Sequence, residues 1–425
     1  MTELALDRER LRSLFDLRSD IYASRGGTFD TDPYPTFARL RETGPVHPGA
    51  PHEELGWTGE VYFQGLPYPN RPHFSAYDYE TCARVLKDDE DFVTSMPALP
   101  GEPPMLDAGI LTMDGKRHRS YRKLVQPSFV PGRAVWWLEN WTRIVVNDLI
   151  DGLIAGDGHA DLNAEFCAPI PLLTITGSFG VTIEEALDVR AAVTSDGSDT
   201  ATLARLLIPT IAARRAHPED DLISILVQAE VTDEDGVLHR LSDEEVLGFA
   251  FLLLAAGSGT TWKQLGLTII ALLRHPRALA AAREDRGFLR GLVEESLRWM
   301  PTDPVFARFV ARDTTLGGVD LPAGAVIHAC LAAANRDATR WERPDEFDPF
   351  RPVKAHLGFG FGPHTCLGAH VARMEITHGV GALLDRLPGL QLDPDRPAPR
   401  VIGLYERGPD TVPVTFGSQT DGSGT

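Results

Sequence analysis

The chain has 425 residues, of which 43% are hydrophobic and 24% charged, enough to bury a large core. A formal net charge of −19 argues against nucleic acid as a partner for the surface as a whole. The four cysteines, Cys82, Cys167, Cys330 and Cys366, stand at no paired spacing, which argues against a disulfide framework and for a reducing compartment.

Residues 1–20 are charged and lack the apolar centre of a signal peptide. They and residues 417–425 read as flexible ends. Segment 32–42 reads as a short helix closed by Gly44-Pro45. Segment 48–72 is rich in proline, glycine and aromatics, which suits an ordered surface loop better than disorder. A helix is predicted over 79–87, then a loop over 96–110. In the helix expected to start near Asp114, His118 and Arg122 are four apart and share one face. Lys116, Arg117, Arg119 and Lys123 add a basic cluster, which in isolation reads as a solvated helix face. Segment 135–154 reads as a helix with Trp136, Trp137 and Trp141 on or near its packing face. Two helices with a link near 195–200 are expected over 182–215.

The most apolar run, 246–273, contains Ser258, Thr260, Thr261, Lys263 and Gln264, so it reads as a buried helix and not a membrane span. Ser242 and Glu245 have the spacing of a capping box at its start, and His275-Pro276 stops it. Mid-helix lies Ala256-Gly257-Ser258-Gly259-Thr260-Thr261. Two interior glycines cost roughly 1 kcal/mol each relative to alanine, and a kink would account for that cost. Glu295 and Arg298, three apart, share a face and can pair. Segment 316–326 reads as a hairpin with Leu321-Pro322-Ala323-Gly324 at its turn.

The densest stretch is 356–375, HLGFGFGPHTCLGAHVARME. Its glycines allow something large and flat to approach the backbone. Cys366 falls at a helix start, where free amides and the helix dipole favour a thiolate. A lone thiolate is a poor zinc site but a good axial ligand for haem iron.

Phe359, Gly360, Gly362, His364, Cys366 and Gly368 in this register resemble the haem-ligand loop of the cytochrome P-450 family. The resemblance covers nearly the whole chain and implies one domain over 1–425, mainly α (α+β), with a large helical region and a small β-sheet region. It implies heme b, iron protoporphyrin IX, with Cys366 as the iron ligand. It implies His118, Arg122, Arg308 and His364 on the haem carboxylates, and a structural network of Glu295, Arg298 and Arg351 behind the haem. Strands are expected to start at Val46 and to cover 73–76. Leu99, Leu253, Ala256, Val305, Phe306 and Leu404 are the expected substrate pocket. Ala256, Gly257, Gly259 and Thr260 are the expected oxygen-handling residues. Arg117, Arg119 and Lys123 become a docking face for an acidic ferredoxin.

The implied activity is a haem-thiolate monooxygenase in the cytoplasm, without membrane anchor and expected as a monomer. It would put one oxygen atom of O2 into a lipophilic small molecule such as a terpenoid, steroid, aromatic ether or polyketide. Its electrons would come from NAD(P)H through a reductase and ferredoxin. Two departures stand out. Segment 48–72 is an atypical insertion, equally readable as a harmless loop or as a flap over the substrate entrance. Gly259 stands where the family has an acid, so protons would come from ordered water or from the substrate. A peroxide-driven enzyme and a haem sensor without turnover are the alternatives.

Overall fold

The computed structural model describes residues 7–15, 27–59, 68, 70–102, 109–196, 200–232 and 236–417. Its centre is the helix Asp243–Leu273. Ser242 Oγ accepts from the Glu245 N–H at 3.2 Å, and Glu245 Oε2 accepts from the Ser242 N–H at 2.8 Å, so the capping box forms as expected. Helices Pro169–Gly177, Thr200–Ala216, Leu289–Trp299 and Ala369–Arg386 pack around it. Every residue of the long helix from Thr261 to Leu272 is buried. The helix is long and apolar enough to cross a membrane, but an all-round apolar helix is also what a core requires. It runs uninterrupted through Gly257 and Gly259. Ser258 and Thr260 instead bond back to the carbonyls of Leu254, at 2.8 Å, and Ala256, at 3.0 Å.

A five-stranded sheet forms the second layer, in the order Val46–Pro48, His73–Ala76, Val326–Ala329, Phe306–Val310, Phe92–Val93. Val46 pairs with Ala76 antiparallel, His73 with Val326 parallel, and Phe306 with Ala329 antiparallel. All four residues of the middle strand Val326–Ala329 are buried, as fits a strand covered on both faces.

Three expectations are corrected. Residues 8–15 are not a flexible end: Arg8–Leu14 is a helix with Leu11 and Phe15 each 1% exposed. Arg8 and Arg12 both bond the carboxylate of Glu165, itself buried, which ties the segment down. Residues 418–425 lie outside the described residues. The hairpin is Thr314–Leu316 with Val319–Leu321, turning at Gly317-Gly318 and not at 321–324. Both glycines have positive φ, 56° and 82°, the conformation that two-residue hairpin turns require. The tryptophan helix is split into Ala134–Trp137 and Arg143–Ile154 by a π turn at Leu138–Thr142. Trp137 is buried there and donates to the Ser128 carbonyl at 2.7 Å.

Candidate active site

The cysteine loop is set by its backbone. Gly362 has φ 76°, and a Cβ there would stand 2.7 Å from the Leu86 carbonyl oxygen. The loop therefore lies flat against the helix Tyr79–Lys87. The Cys366 N–H donates to the Phe359 carbonyl at 2.8 Å, and helix Ala369–Arg386 begins three residues later. Phe359 lies under the Arg373 guanidinium, 4.5 Å from ring centroid to carbon. Gly360 takes φ 70°, and a Cβ on Gly368 would meet no atom within 4 Å.

Cys366 is accessible, whereas Cys82, Cys167 and Cys330 are buried. The expectation of a spontaneous thiolate is corrected. The surrounding protein desolvates the sulfur and raises its pKa above the usual thiol value. The Gly368 N–H, Arg122 and Arg373 oppose this, and the charge of Asp303 adds to it. Proximity to a helix start is outweighed by desolvation, so a bound metal ion is what would remove the proton.

The four expected basic groups come together. The His118 and His364 rings stack with centroids 3.9 Å apart. Arg122 reaches the Thr365 carbonyl beside the cysteine, with Nη2 at 2.6 Å. Arg308 is buried, and its Nη1 donates to the Ala307 carbonyl at 2.8 Å. Burial, then the positive charges of Arg308, His118 and Arg122, push His364 down to about 2. Burial also lowers Arg308 to about 10, against the charge of Asp114. Asp114 lies 3.8 Å from His364, but Thr94 and Ser95 already bond both of its oxygens. His118 Nε2 is buried with no hydrogen-bond partner among the described residues. Two guanidiniums answered by carbonyls, with an orphaned imidazole beside them, suit a ligand that brings carboxylates to this point.

Along the long helix Ala255 and Ala256 are accessible and Gly257 to Thr260 partly so, between buried Leu252–Leu254 and the buried C-terminal half. Leu99 is 46% exposed and Phe306 partly buried, whereas Leu253, Val305 and Leu404 sit inside core clusters. Lys116, Arg117, Arg119 and Lys123 are all exposed, and Arg119 lies 3.6 Å from Asp89. The Glu295 carboxylate takes Arg298 Nε at 2.8 Å and Nη2 at 2.7 Å, and Arg351 Nε at 3.0 Å, so the structural network forms.

The insertion is described over 48–59, at 68 and over 70–72. Its exit is clamped to the 96–102 loop: Arg71 Nη2 lies 2.7 Å from Glu102 Oε2, both side chains 1% exposed. Reasoning from sequence missed one group entirely. The Glu406 carboxylate lies against Gly259 and pairs with Lys263. A lysine one turn after a glycine in an apolar helix was the local signal that could have found it.

The family model for Cytochrome P450 matches residues 201–399. The chain is 36% identical over 380 residues to cytochrome P450 monooxygenase PikC of Streptomyces venezuelae, covering 87% of each. The chain belongs to the cytochrome P450 family. It is also 35% identical to a vitamin D(3) 25-hydroxylase of Pseudonocardia autotrophica, covering 93% of this chain and 96% of that one. CYP109E1 of Bacillus megaterium, solved in complex with testosterone, superposes with a TM-score of 0.75 at 25% identity, over 91% of this chain and 99% of that one. This P450 is therefore a monooxygenase with the mainly α fold of its family, and its cofactor is heme b.

Proposed function

We propose that this P450 oxygenates a lipophilic ring compound in the cytoplasm, with electrons from NAD(P)H through ferredoxin reductase and ferredoxin. The observation that carries the site assignment is the convergence of His118, Arg122, Arg308 and His364 beside the accessible sulfur of Cys366. In this reading Cys366 is the iron ligand and the four basic groups hold the haem carboxylates. Arginine suits that task because its fork donates two parallel hydrogen bonds. Phe359, Gly360 and Gly368 shape the loop around the sulfur.

Heme b held by a thiolate supplies the reductive cleavage of dioxygen and the transfer of one oxygen atom to carbon. The chain's own residues bind, orient and manage protons. Thr260 holds a hydroxyl on the accessible part of the long helix, and Ala256, Gly257 and Gly259 keep that face small. Leu99, Leu253, Val305, Phe306 and Leu404 are assigned to the substrate side, where Leu253, Val305 and Leu404 act as backing. Arg117, Arg119 and Lys123 steer an acidic ferredoxin, with Arg119 weakened by its pairing to Asp89. One domain spans the chain and acts as a monomer.

Relatives named for vitamin D(3) and solved with testosterone favour a steroid-like substrate among the lipophilic classes. The test is a spectral titration of the ferric protein with steroids, terpenoids and aromatic ethers. A high-spin shift with steroids at the lowest concentration supports the reading. A shift with aromatic ethers alone would reject the steroid class. The peroxide-driven alternative stands on Gly259, and turnover with hydrogen peroxide but none with ferredoxin would establish it.

A further inference from the structure

Two separate parts of the chain bring charged groups to the point where the family pattern expects an acid, and a third places a buried carboxyl close by. Both oxygens of Glu406 lie 3.7 Å from where a Cβ of residue 259 would stand. Lys263 follows Gly259 by four residues, on the same helix face, and pairs with that carboxylate through a side chain only 5% exposed. Asp303 follows the helix Leu289–Trp299, and its Oδ1 is buried with no partner among the described residues.

The backbone holds this arrangement in place. Gln264 Oε1 accepts from the Thr302 N–H at 3.0 Å, and the Thr302 carbonyl accepts from the Arg407 N–H at 2.7 Å. Asp303 and Glu406 are thus each one residue from a hydrogen bond tied back to the long helix. The C-terminal turn is also packed tightly on that helix. A Cβ on Gly266 would stand 2.6 Å from Pro409 Cγ, and one on Gly408 would stand 2.6 Å from Lys263 Cγ. Asn163 joins the two, accepting from Trp262 Nε1 at 2.8 Å and donating to the Pro409 carbonyl at 2.9 Å.

We propose that Glu406 replaces the acid missing at position 259 as the proton relay beside Thr260, with Lys263 orienting its carboxylate and Asp303 holding a proton in reserve. The proposal rests on the monooxygenase reading of the Cys366 site. Asp303 and Glu406 share no hydrogen bond among the described residues, so the proton passes from Asp303 to a Glu406 oxygen by way of one water, and Glu406 releases it on the Gly259 side. Solvent restores it through Glu406, whose side chain is 22% exposed. No electron moves through these residues; the monooxygenase reaction supplies its own reductant.

Burial and then the negative charge of Glu406 push Asp303 up to about 8, and Lys263 opposes them. At neutral pH Asp303 therefore carries the proton it is asked to give.

The test has two readouts on the holoprotein. Infrared titration of the carboxyl band needs no turnover. Glu406→Gln removes a negative neighbour and should move the Asp303 titration to lower pH. Lys263→Met removes a positive one and should move it higher, while Asp303→Asn should remove that component and leave the one from Glu375, the other buried carboxyl raised to about 8. The second readout is the share of consumed O2 released as hydrogen peroxide, with electrons supplied photochemically so that the ferredoxin reading plays no part. Glu406→Gln should raise that share several-fold, Glu406→Asp should recover most of the loss, and Gly259→Glu in the Glu406→Gln background should restore it. An unmoved titration in both Glu406→Gln and Lys263→Met, or an unchanged peroxide share in Glu406→Gln, overturns the proposal. Loss of the haem spectrum in Cys366→Ser separates failure of the site reading from failure of the relay.

Discussion

The same substitution at two glycines of one helix should act with opposite signs. Gly259 and Gly266 both lie inside Asp243–Leu273, and helix propensity alone credits each Gly→Ala change with about 1 kcal/mol of stabilisation. At Gly259 the new methyl meets only the Glu406 oxygens, at 3.7 Å, which is ordinary contact, so the gain survives. At Gly266 it stands 2.6 Å from Pro409 Cγ, 3.2 Å from Cδ and 3.3 Å from Asn163 Oδ1. A proline ring cannot rotate away, and its strand is paired to Val401–Ile402, so the turn itself has to move. Overpacking of this kind costs about 1–3 kcal/mol, which cancels or exceeds the propensity gain. The two variants should therefore differ by about 1–3 kcal/mol, with Gly259→Ala above the wild type and Gly266→Ala at or below it. Urea unfolding of the holoprotein, followed by far-UV circular dichroism at a fixed haem ratio, reads this directly. Gly266→Ala as stable as Gly259→Ala would show that the C-terminal turn is not pressed onto the helix. The positioning of Glu406 would lose its basis with it.

Three further outcomes follow from buried charges. Glu295→Gln leaves Arg298, 2% exposed, without its counter-charge, and should cost about 3–5 kcal/mol and lower haem retention in the same urea series. The Arg71–Glu102 pair, 1% exposed on both sides, should show a coupling above about 1 kcal/mol in a double-mutant cycle, where a surface pair shows less. Burial raises Glu375 to about 8, against a hydrogen bond from Thr174. The folded protein then keeps a proton that the unfolded chain loses near its ordinary value of about 4.3, so stability falls as pH rises between the two. Glu375→Gln should flatten that fall, and an unchanged pH profile of the urea midpoint would refute the assignment.

Much of the frame was legible because it is local. Ser242 and Glu245 announce the long helix three residues apart, and Glu295 and Arg298 pair across one turn. The register of Phe359, Gly362, Cys366 and Gly368 carries the family's signature within a single loop. Local rules failed where distant residues decide the outcome. The segment from Arg8 to Phe15 looks like a loose charged end until Glu165, 157 residues from Arg8, accepts its arginines. Cys366 stands before a helix start, but desolvation of the sulfur by the surrounding protein raises its pKa against the dipole.

Gly259 is the sharpest instance. Read along the chain, an acid is missing. Glu406, 143 residues beyond its partner Lys263, reaches that position only because Gly266 and Gly408 carry no side chain. The absence of a Cβ at 259 is then a condition for the arrangement and not a defect in it. A glutamate added at 259 alone would set a second carboxylate against the first, with only Lys263 to share between them. Gly259→Glu by itself should therefore raise one carboxyl pKa of the pair, as two like charges at one site must. In the Glu406→Gln background that rise should vanish. An infrared titration that gives the same carboxyl pKa for Gly259→Glu in both backgrounds would show that positions 259 and 406 do not meet.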